Sequence, residues 1–327
     1  MNILVTGGAG YIGSHVVKIL LEETNYKLTI IDNFSTGFES TIEELKTIRN
    51  FEFYKADLKN LEQVERIFNK KHFNAILHFA ASIAVPESMS NPLKYYDNNV
   101  VSTLNLTKLA VKYDVKKFIF SSSAAVYGEG QTIVKENSPK NPVNPYGRSK
   151  LFAENIITDA SKAYGFKYVI LRYFNVAGAT PDLLIGPKTP EVASLIKAVA
   201  ECAAGKREKV EVFGDDYPTI DGSGVRDYIH VSDLAVTHIK ALDFLEEYNS
   251  EIFNVGYGKG VSVKEVIKVM KKVSGRDFKV EIAPRRKGDL AMLIANCDKI
   301  KEKMNWTPKY DDLEFICKTA YEWEKKV

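Results

Sequence analysis

The chain opens on a short apolar run, Ile3–Val5, and similar runs recur at Leu28–Ile31, Phe51–Tyr54, Ala75–Phe79, Phe118–Phe120 and Tyr168–Leu171. Between them, near Tyr11–Glu22, Leu61–Asn69, Asn99–Tyr113 and Tyr146–Tyr164, apolar residues recur at three- and four-residue spacing. A short continuous apolar run is a strand buried on both faces, whereas the 3.6-residue period puts one apolar stripe on a helix. Strand and helix in alternation predict a doubly wound, Rossmann-type α/β fold with a parallel sheet covered on both sides. After Asn175 the rhythm changes. The glycine- and proline-bearing loop "AGATPDLLIGPKTP" leads to a helix near Val192–Ala203, and shorter elements follow to Val327. The expected division is a first domain at 1–180 and a smaller C-terminal α/β lobe at 181–327, with part of Arg226–Gly258 returning to the first. The second lobe is expected to close over the C-terminal ends of the strands, where ligands sit in such sheets.

Composition narrows the class. Of 327 residues, 45% are apolar and 27% charged, with a net charge of +3, as in an ordinary enzyme. So weak a charge argues against nucleic acid or a membrane surface as the main partner. No apolar run approaches the roughly 18 residues of a spanning helix. Met1 is followed directly by strand-like residues, without a signal-peptide pattern, which points to the cytoplasm. Cys202, Cys297 and Cys317 are scattered without metal-ligand spacing, so they are expected to be buried thiols and no metal is expected.

Chemistry begins in "ILVTGGAGYIGSH", which is strand, glycine loop and helix start. Gly7, Gly10 and Gly13 are spaced G-x-x-G-x-x-G, and Gly8, Gly10 and Gly13 also satisfy G-x-G-x-x-G. The first glycine permits a tight turn, the middle one a close pyrophosphate, and the last a close helix. Unpaired N–H groups at the helix start then face the phosphates. Asp32 ends the second strand at the position that accepts bonds from a ribose diol and repels a 2′-phosphate, so NAD is favoured over NADP. Asp57, after the third strand, fits an adenine contact.

"NPYGRSK" sets Tyr146 and Lys150 four residues apart behind Pro145, which starts a helix. On a helix they are neighbours. The ammonium is expected to favour the phenolate, making Tyr146 a base for a sugar hydroxyl. Lys150 is also placed to bond a nicotinamide ribose. Ser123 ends "FIFSSS" and supplies a hydroxyl at the end of a buried strand.

"TGGAGYIG", "SSS" before "VYG", and "YGRSK" resemble the extended short-chain dehydrogenase/reductase family. "HFAA", "NPLKYYDNNV", "RYFNVAGA", "DGSGVRDYIHVSDLA" and "APRRKGDL" narrow the resemblance to the UDP-glucose 4-epimerases, from Asn2 to about Trp323. The resemblance implies a redox isomerisation: hydride leaves sugar C4 for a retained NAD while Tyr146 takes the 4-hydroxyl proton, the 4-keto sugar turns about its pyrophosphate, and hydride returns to the other face. Ser123 bonds the 4-oxygen. It assigns Gly7, Gly10, Tyr11, Ile12, Gly13, Asp32, Asn33, Asp57 and Leu58 to cofactor binding. Phe79, Ala80, Ala81, Asn98 and Phe174 also border the cofactor, with Ser123, Tyr146 and Lys150. On the UDP-sugar, Arg226 and Arg286 match residues that hold the pyrophosphate, Asp289 a ribose contact and Phe213 a neighbour of uracil. Asn175 matches a phosphate or sugar contact, Tyr173 lines the nicotinamide side, and Tyr228 and Leu293 complete the substrate set. A homodimer through the helices near Asn99–Tyr113 and Tyr146–Tyr164 is implied as well.

Two alanines choose among relatives. Nucleotide-sugar dehydratases carry an Asp–Glu pair after the hydroxyl residue, where this chain has Ala124 and Ala125. A methyl group transfers no proton, so the pattern favours epimerisation. A dehydratase or reductase acting on a nucleotide sugar is the alternative, and a non-catalytic dinucleotide-binding regulator a more distant one. Ile83 and Ser194 depart from residues common in the family. Leu293 stands where members restricted to UDP-glucose and UDP-galactose often carry tyrosine. The smaller side chain predicts room for an N-acetyl group, hence activity on UDP-N-acetylglucosamine and UDP-N-acetylgalactosamine too.

Overall fold

The computed structural model describes residues 1–188, 194–286 and 289–327. The start of the helix expected from Val192 lies outside them, and the described helix runs Leu195–Ala203. The six apolar runs form strands Asn2–Thr6, Lys27–Asp32, Glu52–Lys55, Ala75–His78, Lys117–Ser123 and Lys167–Tyr173. With Glu251–Val255 they make a seven-stranded sheet. From Glu52–Lys55 through Lys27–Asp32, Asn2–Thr6 and Ala75–His78 to Lys117–Ser123, every pairing is parallel. Ile3, Leu4 and Val5 are all fully buried, so this strand has no wet face. The order reverses between Asn2–Thr6 and Ala75–His78, the switch point where dinucleotides bind in such sheets.

One core is built from Leu4, Ile76, Phe118, Phe120 and Ile170 on strands against Val64, Phe68, Leu106, Leu109, Ala153 and Ile157 on helices. Each of these side chains except Ala153 contributes about 1.5–3 kcal/mol on burial. The helix Pro145–Tyr164 is delimited by its sequence: the Asn144 side chain accepts from Gly147 N–H at 2.8 Å, Pro145 fixes the first turn, and Gly165 stops it at φ +82°. A π-helical stretch, Tyr96–Val101, precedes the helix Ser102–Lys112. The expected helix from Asn99 therefore starts in a different geometry.

The chain forms two compact units. One comprises 1–126, 140–172 and 235–253, and the other 127–139, 173–234 and 254–327. These are not consecutive halves divided at 180. The chain leaves the first unit at Tyr127, because the short strand Ile133–Val134 pairs with Met292–Ala295 in the second. It leaves again at Tyr173, and Ala235–Phe253 returns because Glu251–Val255 is an edge strand of the large sheet. No helix among the described residues is long and apolar enough to cross a membrane. All three cysteines are buried free thiols.

Candidate active site

In the glycine loop, Gly7 has φ +75°, and a Cβ there would lie 2.5 Å from Ala80 N. A Cβ on Gly13 would lie 2.2 Å from Gly7 O. Packing alone demands glycine at both. Gly10 differs: it sits at φ −81°, ψ 173°, and its Cβ would meet nothing nearer than Gly7 O at 3.4 Å. The protein leaves that side open at the start of the helix Tyr11–Glu23, as close approach of a pyrophosphate requires. Asp32 accepts Ala9 N–H at 3.0 Å and Phe34 N–H at 2.8 Å. Burial raises its pKa against these bonds. A carboxylate has about four acceptor positions, so capacity remains for a ribose diol. These residues fit a dinucleotide.

Asp57 is occupied by the fold, accepting Lys59 N–H at 2.9 Å and facing Asn33 Nδ2 at 3.4 Å. Leu58 is buried beneath it. The Tyr11 ring meets His15 edge-on, and burial pushes its phenol pKa up; Ile12 is half-buried in the same turn. Phe79 N–H donates to Thr6 O, which sets Phe79, Ala80 and Ala81 beside the glycine loop. Asn98, in the π-helical stretch, donates to Ser82 Oγ at 3.0 Å.

Ser123, Tyr146 and Lys150 come together between the end of the strand Lys117–Ser123 and the start of the helix Pro145–Tyr164. Ser123 accepts Ala125 N–H at 3.2 Å, and its hydroxyl lies near the Tyr146 phenol. Lys150 Nζ donates to Ser121 O at 2.7 Å and lies 5.0 Å from the Phe120 ring centroid. Burial raises the Tyr146 pKa, and the nearby Ser123 hydroxyl opposes it. Burial also pulls Lys150 down to about 7, against the Glu154 carboxylate. The Ala124 methyl is buried, and a Cβ on Gly147 would lie 2.4 Å from Ala125 O, so Gly147 lets the helix approach the backbone at Ala125.

The second unit arranges its residues by strand register. Arg226 pairs with Leu293, and Tyr228 with Asn175, both in parallel. Leu293 and Tyr228 are buried; Asn175 is exposed, with its N–H donating to Asp227 O. The Arg286 guanidinium lies 3.6 Å from the Phe213 ring centroid, and Asp289 N–H donates to Arg286 O. Tyr173 and Phe174 are buried. Ile83 is exposed, and Ser194 precedes the helix Leu195–Ala203 without capping it through its side chain.

Sequence reasoning missed two buried polar groups. Asn99 Nδ2 donates to Ser82 O and to Ser149 Oγ, and Ser149 Oγ donates to Tyr146 O. Glu154 accepts from Arg172 Nε at 2.9 Å and Nη2 at 2.7 Å, and from Ser122 Oγ. The available signal was spacing, since Glu154 continues the four-residue step from Tyr146 through Lys150.

A model of the NAD dependent epimerase/dehydratase family matches residues 3–256. A UDP-glucose 4-epimerase of Halalkalibacterium halodurans is 45% identical over 100% of this chain and 96% of its own length. The solved UDP-Glc/GlcNAc 4-epimerase of Campylobacter jejuni is 55% identical, with TM-score 0.88 over 100% of this chain and 99% of that one. The UDP-glucose 4-epimerase of Bifidobacterium longum, solved with NAD+ and UDP, is 38% identical, with TM-score 0.95 over 100% and 98%.

Proposed function

The chain belongs to the NAD-dependent epimerase/dehydratase family, and on that premise we propose that it interconverts UDP-glucose and UDP-galactose at C4. When bound, NAD supplies a reversible hydride acceptor. The first unit holds it, through the open side of Gly10 and the free acceptor positions of Asp32. Tyr146 as phenolate removes the 4-hydroxyl proton and later returns it, so one side chain serves both directions. Ser123 bonds the 4-oxygen and the phenol, passing the proton over a short path. Lys150, poised near neutrality, supplies positive charge beside them. In the second unit Arg226 and Arg286 hold the pyrophosphate with planar donor forks. Asp289 holds the ribose, with Phe213 beside uracil and Asn175, Tyr173 and Tyr228 along the rest of the substrate.

The observation that carries this reading is the joining of Ser123, Tyr146 and Lys150 while Ala124 and Ala125 offer no proton donor for elimination. Leu293 beside Arg226 extends it to the N-acetylated pair, in keeping with the activity named for the Campylobacter relative. The reading includes a cytoplasmic homodimer, supported by apolar Leu93, Leu104 and Phe152 exposed on or near the helices expected to pair. Proton NMR of the purified protein without added NAD tests it, with UDP-galactose in one tube and UDP-N-acetylgalactosamine in another. Both convert if the reading holds. Conversion of UDP-galactose alone removes the N-acetyl extension. Conversion of neither by NAD-loaded protein refutes epimerisation, and release of a 4-keto-6-deoxy sugar establishes a dehydratase.

A further inference from the structure

The three serines after Phe120 face three residues of the helix Pro145–Tyr164 one for one. Ser123 lies near Tyr146, the Ser121 carbonyl accepts Lys150, and the Ser122 hydroxyl donates to Glu154. The first two contacts involve residues already given roles. The third ends on a carboxylate that is 3% exposed and gripped by Arg172, itself fully buried on the adjacent strand. A fork of two N–H bonds and a hydroxyl fix both carboxylate oxygens. A buried ion pair of this kind is often replaceable by apolar residues without loss of stability. Its place, one helical turn from Lys150, gives it a further use.

We propose that Glu154 is a positioning residue for the epimerase reaction, whose clamped carboxylate keeps the Lys150 ammonium charged and in line with Tyr146. The inference rests on the proposed function. The groups facing Lys150 leave Glu154 as the anion that can do this. Tyr146 shares its helix face, and the Phe120 ring and Ser121 carbonyl face it from the strand. His78, on the next strand, bonds Thr6 at 2.7 Å and Thr103 at 3.0 Å. Burial, with Lys150 adding to it, holds that imidazole pKa down to about 3, so His78 is neutral in the working range. Arg172 adds positive charge that Glu154 offsets. Burial alone favours neutral lysine, and the carboxylate opposes it.

The test is the pH dependence of kcat for UDP-galactose with the NAD-loaded enzyme. Deprotonation of Lys150 removes the cation, so activity falls on the alkaline side. Glu154→Gln removes the carboxylate charge near Lys150 and moves this limb acid-ward by about one pH unit or more. Glu154→Asp keeps the charge and leaves the limb near its wild-type place. If Glu154→Gln does not fold, Glu154→Gln with Arg172→Gln removes both charges, and the limb still moves acid-ward by a smaller step, because the carboxylate that raises the Lys150 pKa is lost. A limb that stays in place in a folded charge-removed variant, with only a uniform fall in kcat or in melting temperature, overturns the inference and leaves a structural ion pair. Absence of turnover in the wild type overturns the proposed function itself, a different result from turnover with an unmoved limb.

Discussion

Gly10 and Gly13 separate what the fold needs from what the cofactor needs. At Gly10 the backbone lies at φ −81°, ψ 173°, where alanine fits. The added methyl meets only Gly7 O at 3.4 Å. Two small effects then oppose each other: alanine is a poorer N-cap than glycine by about 0.5–1 kcal/mol, and it restricts the unfolded chain by about 0.4–1 kcal/mol. The cofactor-free Gly10→Ala protein should therefore melt within about 3 °C of wild type. The methyl stands on the phosphate side, where overpacking costs about 1–3 kcal/mol, so NAD binds about 5–150-fold more weakly. Gly13→Ala puts a methyl 2.2 Å from a backbone oxygen. Strand and helix must separate, at a cost of about 3 kcal/mol, lowering the melting temperature of the cofactor-free protein by roughly 6–12 °C. Scanning calorimetry after removal of NAD, with titration of NAD back into each variant, measures both quantities. Wild-type NAD affinity in Gly10→Ala refutes the assignment of the open side to phosphate. Equal destabilisation by the two substitutions refutes the distinction itself.

Tyr146→Phe should keep its NAD, read from extracted cofactor, and lose about 10²–10⁴ in kcat, the usual contribution of one acid–base group. Lys150→Met should lose activity yet stabilise the cofactor-free protein at pH 7. The sign follows from a folded pKa of about 7, below the value of 10.5 for a free lysine. The unfolded chain binds more protons between these values, so the burial penalty is present below pH 7 and relieved as pH rises toward 10.5. A gain on the order of a few kcal/mol, reduced by loss of the Ser121 bond, should appear in denaturant melts and shrink with rising pH. Leu293→Tyr should lose turnover of UDP-N-acetylgalactosamine by about tenfold or more while sparing UDP-galactose; an equal fall in both rejects the pocket argument.

Six of the seven strands of the large sheet were legible, and all of these but the edge strand Glu52–Lys55 are largely buried, with few polar positions to interrupt the run. Their ends were less so. The apolar run stops at Phe120, but the strand continues through Ser121 and Ser122 to Ser123. Tyr146 and Lys150 were legible through helical spacing, but Arg172 is distant in sequence from the Glu154 it holds, and only the folded sheet unites them. The π-helical turn at Tyr96–Val101 has no periodicity of its own in so short a stretch. The excursion at 127–139 was hidden for a similar reason, since its strand is the pair Ile133–Val134, too short to leave a pattern.

The late return of Glu251–Val255 matters on the ribosome. That strand flanks Lys167–Tyr173, whose sequence KYVILRY would otherwise present an apolar open edge. Elongation through the intervening residues takes about 4–15 s at ordinary rates of synthesis. Throughout that time the nascent sheet offers unpaired N–H and C=O groups to any neighbouring strand. Chains released early, or cut near 180 to isolate a cofactor-binding half, carry the same sticky edge permanently and should precipitate rather than bind NAD. The enzyme is thus most exposed to loss before its last quarter has been made.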